Sequence, residues 1–265
     1  MASVIITIAI IIISLILIIW LIKQHSTFKY VLWHFKKCNC VVSGKKGSGK
    51  DLLFQKVINK RKDFYYANIG YGGDFKKISL KDISLKSKDG KYHLTYNDFL
   101  NDNVVKTKHK FREKADFYIS DGGIFLPSHM DSALHKSYPS LPIFYALSRH
   151  LYDSNIHVNV QNIDRLWKPL REQADFFIDV KRTIKLPFIL LTRYTCYEKM
   201  QSAIQRITPM KVRALNKFSK AEYDKYTATN GVIKNGWIIQ FKVNVKYDTR
   251  AFEKIVLKGK RLAKK

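Results

Sequence analysis

The feature that most constrains the fold is the segment 39–53, where a short apolar run, a glycine-rich loop and a helix follow one another directly. The apolar run at residues 40–42 is short, as a central parallel strand is expected to be. The loop consists of Gly44, Lys45, Lys46, Gly47, Ser48, Gly49 and Lys50. Glycines let several backbone N–H groups turn toward one anion, and the helix adds the positive end of its dipole. We therefore predict that residues 44–50, the phosphate loop, bind a phosphate group.

The spacing Gly44-x4-Gly49-Lys50 is that of the Walker A motif, and the flanking strand and amphipathic helix are the context which that motif requires. It predicts an α/β fold, a P-loop NTPase with a mainly parallel central sheet flanked by helices. The expected ligand is ATP, and Lys50 is expected to contact its β- and γ-phosphates.

The residue after Lys50 departs from the usual motif, which has Ser or Thr there to bind Mg²⁺. In this chain it is Asp51. A carboxylate is also a good ligand for a hard cation. Asp51 could hold Mg²⁺ directly, hold it through water, or serve only as a negative charge at the start of the helix. We expect the replacement of Ser or Thr by Asp51 to affect the rate of hydrolysis more than it affects nucleotide binding.

A second carboxylate, Asp121, ends the apolar segment 117–121. An Asp in this position serves Mg²⁺ in P-loop proteins, so we predict that Asp121 is a metal residue. The next residue is Gly122 rather than the Glu that often activates water. The catalytic base is therefore unassigned, although Asp116 and Asp131 lie nearby in the sequence.

Gln161 ends the strand-like segment 156–161 and stands where a sensor of the γ-phosphate is expected. The alternative is a solvated strand end. Arg149, Arg165 and Arg171 are candidates for an arginine finger that acts on the nucleotide of a neighbouring subunit. For each of the three, a surface salt bridge is the alternative interpretation.

Residues 4–22 are almost wholly apolar and long enough, at 1.5 Å per residue, to cross a hydrocarbon core of about 30 Å. Lysines follow this stretch, beginning at Lys23, and no charged side chain precedes it. By the positive-inside rule, the rest of the chain faces the cytoplasm. A cleaved signal peptide would need a basic start and a small-residue cleavage site, which are missing here. We predict a single transmembrane helix in the inner (cytoplasmic) membrane of the cell.

We divide the chain into an anchor at residues 1–25, a juxtamembrane linker at 26–37, an ATPase domain at 38–255 and a basic tail at 256–265. The linker suits either an interfacial helix or a helix packed on the domain. Strand-like segments occupy residues 176–180, 187–197 and 237–247. Gly231 and the pair Asn235-Gly236 predict turns, and the pair suits a hairpin.

The chain carries 48 basic and 21 acidic residues, a net charge of +27. This charge favours anionic partners, which are nucleic acid, nucleotide or acidic lipid headgroups. Its three cysteines are too few and too sparse for a disulfide framework, which predicts a reducing compartment.

The order of these motifs resembles that of the Zot-like (zonular occludens toxin-like) assembly ATPases of filamentous phages, in the FtsK–HerA branch of P-loop motors. The matching elements are the phosphate loop, Tyr-Ile-Ser-Asp121, Arg149-His150, Val-Gln161-Asn, Leu170-Arg171 and the closing segment 247–252. The resemblance covers about residues 38–255. It implies an oligomeric ring in the inner membrane that passes single-stranded phage DNA, or coat protein, through the membrane at the expense of ATP. It also implies that Lys50 contacts phosphate, Asp121 serves Mg²⁺ and Gln161 senses the γ-phosphate.

The order of parts departs from the familiar members, which place the ATPase domain first, then the membrane helix, then an outer domain. Two alternatives follow. One is a DNA-translocating or packaging ATPase of the same branch that serves another mobile element. The other is a nucleotide-dependent membrane scaffold that does not hydrolyse ATP, an alternative supported by Asp51 and Gly122.

Overall fold

The computed structural model describes residues 2–88, 104–105, 110–126, 138, 140–197 and 232–242. Five α-helices lie in these ranges: α1 (Ala2–Lys37), α2 (Lys50–Arg61), α3 (Gly122–Phe125), α4 (Leu141–Tyr152) and α5 (Lys168–Glu172). The strands are β1 (Cys40–Ser43), β2 (Tyr65–Ala67), β3 (Phe75–Lys77), β4 (Lys86–Ser87), β5 (Val104–Val105), β6 (Phe117–Ile119), β7 (Ile156–Val160), β8 (Phe176–Lys185), β9 (Ile189–Tyr197) and β10 (Val232–Phe241).

Eight of these strands form one sheet in the order β10-β9-β8-β1-β7-β6-β2-β3. The pairs from β8 through β1 to β3 are parallel, whereas β8–β9 and β9–β10 are antiparallel. The mainly parallel sheet with flanking helices confirms the predicted fold class. Since β1, β7 and β6 are neighbours, their carboxyl ends meet at one edge of the sheet, where Ser43 pairs with Val160 and Ile119 pairs with Val158.

The two faces of the sheet carry separate apolar clusters because side chains alternate along each strand. Val41, Ile119 and Val158 point to the face that α4 and α5 cover. Val42 and Tyr118 point to the opposite face, which α1 and α2 cover. Each fully buried side chain of this size contributes about 1.5–3 kcal/mol to the free energy of unfolding.

Helix α1 is continuous from the apolar N-terminal segment into the domain. Its buried residues recur at helical spacing along one face: Gln24, Thr27, Phe28, Val31, His34 and Phe35. The His34 ring stacks on Phe176 at a centroid distance of 3.9 Å, and the side-chain oxygen of Gln24 accepts a 2.7 Å hydrogen bond from the backbone N–H of Trp237. Residues 26–37 therefore form a helix packed on the domain, which is one of the two alternatives left by the sequence.

In the N-terminal part of α1 the leucine and isoleucine side chains from Ile5 to Ile22 are exposed, whereas Trp20 is partly buried. The helical stretch Ile5–Lys37 is long and apolar enough to cross a membrane, with a mean hydropathy of 3.3 in its most apolar window. The whole helix of 36 residues is about 54 Å long at 1.5 Å per residue. It therefore has the length for a membrane span followed by several turns on the domain.

The predicted hairpin turn at Asn235-Gly236 is wrong. Both residues lie inside β10, where they pair with Thr195 and Tyr194 of β9. Glycine is required there because a Cβ atom at position 236 would lie 2.5 Å from the Tyr194 hydroxyl, so the residue serves close packing rather than a turn. The other predicted turn, at Gly231, and the segment 247–252 lie outside the described residues, as does the basic tail.

Candidate nucleotide-binding site

The phosphate loop leads from the end of β1 to the start of α2, with Gly44, Gly47 and Gly49 at positive φ angles. Lys50 begins the helix, and its side chain turns back into the loop, where Nζ donates to the backbone oxygens of Gly44 at 2.9 Å and Lys45 at 3.1 Å. Lys50 is only 5% exposed. Burial lowers its pKa, and the charges of Asp51 and Asp121 oppose that shift. The loop thus holds a buried ammonium group beside two carboxylates.

The antiparallel strands β8 and β9 support the back of the phosphate loop. The Thr183 hydroxyl donates a 2.7 Å hydrogen bond to the backbone oxygen of Ser48, and it lies 2.8 Å from the Thr192 hydroxyl. The Ser48 hydroxyl itself is buried and has no hydrogen-bond partner within the described residues. It lies 2.7 Å from the point that a Cβ atom on Gly44 would occupy, so it faces across the loop.

Asp51 is the acceptor of a compact hydrogen-bond cluster. Its Oδ1 atom accepts from the Tyr71 hydroxyl at 2.9 Å, from the Ser120 hydroxyl at 2.9 Å and from the Asn159 side-chain amide at 2.6 Å. Tyr71 precedes β3, whereas Ser120 and Asn159 lie at the carboxyl ends of β6 and β7. Three donors on one oxygen fix the orientation of the carboxylate.

Asn159 also links the Asp51 carboxylate to the backbone of Asp121. Its side-chain oxygen accepts a 2.7 Å hydrogen bond from the backbone N–H of Asp121, while its amide donates to Asp51. Asp121 has a φ angle of 47° and immediately precedes α3. The side chain of Asn159 is fully buried, so no water competes for these bonds.

Gln161 forms a side-chain hydrogen bond with the Asp121 carboxyl group. Burial and the negative charge of Asp51 raise the pKa of Asp121, and Lys50 opposes them. Two neighbouring carboxyl groups are suited to a divalent cation, because its charge would relieve the repulsion between them. The residues present therefore fit Mg²⁺. Four predicted site residues, Lys50, Asp51, Asp121 and Gln161, lie together at the carboxyl edge of the sheet.

Gly122 follows Asp121 where many P-loop proteins carry a catalytic Glu. A Cβ atom at position 122 would lie 2.2 Å from Cγ1 of Val158 and 3.2 Å from the backbone oxygen of Asn159. The close approach of α3 to β7 therefore leaves no space for a larger side chain. If a residue activates water, it must come from elsewhere.

Asp116, which is near Asp121 in the sequence, lies at the opposite edge of the sheet. Its carboxylate is paired with Arg61 and lies 3.4 Å from His157 Nε2, and its other oxygen accepts from the backbone N–H of Asn155 at 2.8 Å. Arg61 also donates to the backbone oxygen of Phe35 in α1 at 2.9 Å. This buried cluster binds α1 to α2 and the sheet, and it is remote from the phosphate loop. Asp131 lies outside the described residues.

The three candidate arginines do not contact the phosphate loop by a hydrogen bond or ion pair within the described residues. Arg149 is exposed near the end of α4, beside the start of β7 and therefore at the edge opposite the loop. Arg165 is exposed after β7, and Arg171 donates to Asp164 at 3.2 Å. Arg149 could therefore contact a nucleotide only in another subunit. Arg171 forms a salt bridge with Asp164, which was the alternative to a role as an arginine finger.

Three members of the site have no counterpart in the sequence prediction: Tyr71, Ser120 and Asn159. Ser120 and Asn159 are polar residues at the ends of buried strands, a signal that was present in the segments 117–121 and 156–161. Tyr71 lies in an irregular segment after β2, and no local pattern marks it.

Known structures with a similar fold include the N-terminal domain of zonular occludens toxin from Neisseria meningitidis. Its TM-score is 0.43 at 15% sequence identity, covering 81% of this chain and 96% of that one. The genome packaging NTPase B204 from Sulfolobus turreted icosahedral virus 2, in complex with AMP, has a TM-score of 0.36 at 15% identity, covering 62% and 93%. Its complex with ATP-gammaS gives 0.36 at 14% identity, with the same coverage. No family model matches the sequence, and no curated protein matches it significantly.

Proposed function

We propose that this protein is a membrane-anchored P-loop ATPase that powers the assembly and extrusion of a filamentous phage. The observation that carries the proposal is the meeting of Lys50, Asp51, Asp121 and Gln161 around one glycine-rich loop. A second observation supports the membrane anchor: α1 continues from an exposed apolar segment, long enough to cross a membrane, into the packed face of the domain.

The chemistry of the site suits a nucleoside triphosphate. The phosphate loop would surround the β-phosphate with backbone N–H groups, and Lys50 would exchange its two loop carbonyls for phosphate oxygens. That exchange favours the bound state, because an ammonium–phosphate contact is stronger than a bond to a neutral carbonyl. Gln161, held by Asp121, would orient water toward the γ-phosphate.

Asp51 and Asp121 are the residues that would hold Mg²⁺. When bound, the ion neutralises charge on the β- and γ-phosphates. The protein contributes the orientation of both carboxylates, through the donors on Asp51 and the backbone bond from Asp121 to Asn159.

The anchor and the charge support the rest of the proposal. With Lys23, Lys29, Lys36 and Lys37 after the span, the domain would face the cytoplasm of the host cell. The net charge of +27 suits phage single-stranded DNA as the transported polymer, with coat protein as the alternative cargo. A homo-oligomeric ring would let Arg149 of one subunit reach the nucleotide of the next.

Two other functions have support. A DNA-translocating or packaging ATPase of another mobile element would use the same site and the same charge. A scaffold that binds ATP without hydrolysing it is favoured by two observations: Asp51 already accepts three hydrogen bonds, and Gly122 has no space for a catalytic Glu.

The test is Mg²⁺-dependent ATP hydrolysis by the full-length protein in lipid nanodiscs, with its mass measured in the same sample. Lys50→Ala should abolish turnover. Lys60→Ala is the matched control, because Lys60 is an exposed lysine at the far end of the same helix, α2. Stimulation by single-stranded DNA would favour DNA as the cargo. If the assembled protein binds ATP without turnover, and Asp51→Ser restores none, the scaffold replaces the motor.

A further inference from the structure

Helix α1 and strand β10 run side by side in opposite directions. Near the domain end of α1, Nζ of Lys234 lies 4.2 Å from the centre of the Tyr30 ring. Further along, the backbone N–H of Trp237 donates to Gln24 at 2.7 Å. As residue numbers rise along β10, those of its α1 neighbours fall. Strand β10 therefore advances toward the apolar N-terminal part of the helix.

This progression continues to the end of the apolar segment. Leu21, which lies inside the predicted span of residues 4–22, lines one cavity of about 240 Å³ together with Ile239. Two residues beyond Ile239, at about 3.4 Å each, the strand ends at Phe241. The end of β10 thus lies near the level at which α1 would enter the membrane.

An exposed apolar surface lies at this end of the sheet, and we name it the apolar tip: Leu186, Phe188 and Phe241. Phe188 is 80% exposed and lies in the β8–β9 turn. The backbone N–H of Lys242 donates to the Phe188 oxygen at 3.0 Å, which joins the turn to the end of β10. Outside the apolar segment of α1, the only other exposed large apolar side chains within the described residues are Trp33 and Phe75.

Exposed lysines flank these apolar residues in the sequence. Lys185 directly precedes Leu186, Lys242 directly follows Phe241, and Lys23 directly follows the apolar segment of α1. Aromatic and aliphatic side chains flanked by lysines are typical of the membrane interface, where rings enter the headgroup region and ammonium groups remain in water.

We propose that the apolar tip inserts into the headgroup region of the same bilayer that α1 crosses, beside the point where α1 leaves it. The proposal rests on the proposed membrane anchoring. Its partner is an anionic lipid surface, and the position of the tip next to the end of the span favours lipid over nucleic acid. Two attachment points would fix the tilt of the domain on the membrane. Because Thr183 of β8 bonds to Ser48, the second point lies on the strand that supports the phosphate loop.

The test places a nitrobenzoxadiazole fluorophore at position 188 of the full-length protein, through Phe188→Cys in a Cys38→Ser background. Cys40 and Cys196 are buried and do not compete for the label. A matched control carries the label through Lys168→Cys, an exposed position in α5 on the other face of the sheet. Vesicles contain phosphatidylcholine and phosphatidylglycerol, with or without a nitroxide lipid labelled near the headgroup. Flotation reports membrane anchoring independently.

We expect the protein to float with the vesicles. We also expect the nitroxide lipid to quench most of the fluorescence of the label at position 188, but not that of the label at position 168. Leu186→Ser with Phe241→Ser should restore fluorescence at position 188, whereas Trp33→Ser should not. Flotation without quenching at 188, or equal quenching at 168, would overturn the inference and leave the anchor intact. A response to a single-stranded oligonucleotide without one to lipid would assign the tip to nucleic acid instead. Failure to float would overturn both the anchor and this inference.

Discussion

The side-chain amide of Asn159 donates a 2.6 Å hydrogen bond to Oδ1 of Asp51, and its oxygen accepts from the backbone of Asp121. One buried residue thus sets the relative position of the two carboxylates that we assign to Mg²⁺.

The first prediction concerns this bridge. Asn159→Leu should weaken the Mg²⁺-dependent part of ATP affinity by about tenfold, since losing hydrogen bonds at a buried polar site costs about 1–3 kcal/mol. Calorimetric titration of the protein with ATP, once with Mg²⁺ and once with EDTA, gives two affinities, and their ratio measures that part. Asn155→Leu is the matched control, because Asn155 is also buried but its amide bonds to Lys36 in α1. An equal loss in both variants would assign Asn159 a purely structural role.

The second prediction concerns Thr183, which supports the phosphate loop from β8. Thr183→Val keeps the shape of the side chain but removes the hydrogen bond to Ser48. We expect ATP affinity to fall by about two- to tenfold, corresponding to about 0.5–1.5 kcal/mol for one hydrogen bond. Thr195→Val, at a buried position in β9, should leave nucleotide affinity unchanged. Unchanged affinity in Thr183→Val would show that the loop holds its shape without β8.

The third prediction concerns Gly122. Gly122→Glu should not supply a catalytic base. It should lower the thermal unfolding midpoint, because its Cβ atom would collide with Val158. The double variant with Val158→Ala should recover part of the lost stability, because it removes the colliding methyl groups. Thermal unfolding and ATP hydrolysis of Gly122→Glu, of Val158→Ala and of the double variant, measured together, check this account. A fully stable Gly122→Glu variant with faster hydrolysis would contradict it.

The fourth prediction concerns pH and the buried cluster of Arg61, Asp116 and His157. Burial lowers the pKa of His157 below its ordinary value of 6.5, with the charge of Asp116 opposing the shift. The unfolded chain therefore binds a proton at His157 before the folded protein does, and stability should fall as pH drops below about 6.5. The slope for one proton is at most about 1.4 kcal/mol per pH unit.

Asp116 adds a second loss of stability at lower pH. Burial would raise its pKa, but the hydrogen bond from His157 and the charge of Arg61 outweigh burial and hold the pKa below 3.8. Its contribution is present above pH 3.8 and is lost as pH falls through the folded-state pKa. Unfolding in detergent from pH 8 to pH 3 measures both stages. His157→Gln should flatten the first stage, whereas His150→Gln, at an exposed position, should not.

Local sequence patterns predicted the elements that carry the site. The strand before the phosphate loop begins at Cys40 as expected, and the helix after the loop, α2, begins at Lys50. These elements are recognisable because their apolar periodicity and glycine spacing depend on neighbours in the chain. The Asn235-Gly236 prediction failed because pairing along the whole of β10 outweighs the turn preference of two residues.

The sequence by itself determined the phosphate loop, the fold class and an apolar helix long enough for a membrane, since each depends on local order and composition. Only the tertiary structure decided that Tyr71, Ser120 and Asn159 converge on Asp51, and that Asp116 lies at the far edge beside Arg61. It also decided that β10 brings Phe241 and the β8–β9 turn toward the apolar end of α1. The physical reason is that these contacts join residues that are far apart in the sequence. The order of the strands in the sheet brings them together, and no local pattern encodes that order.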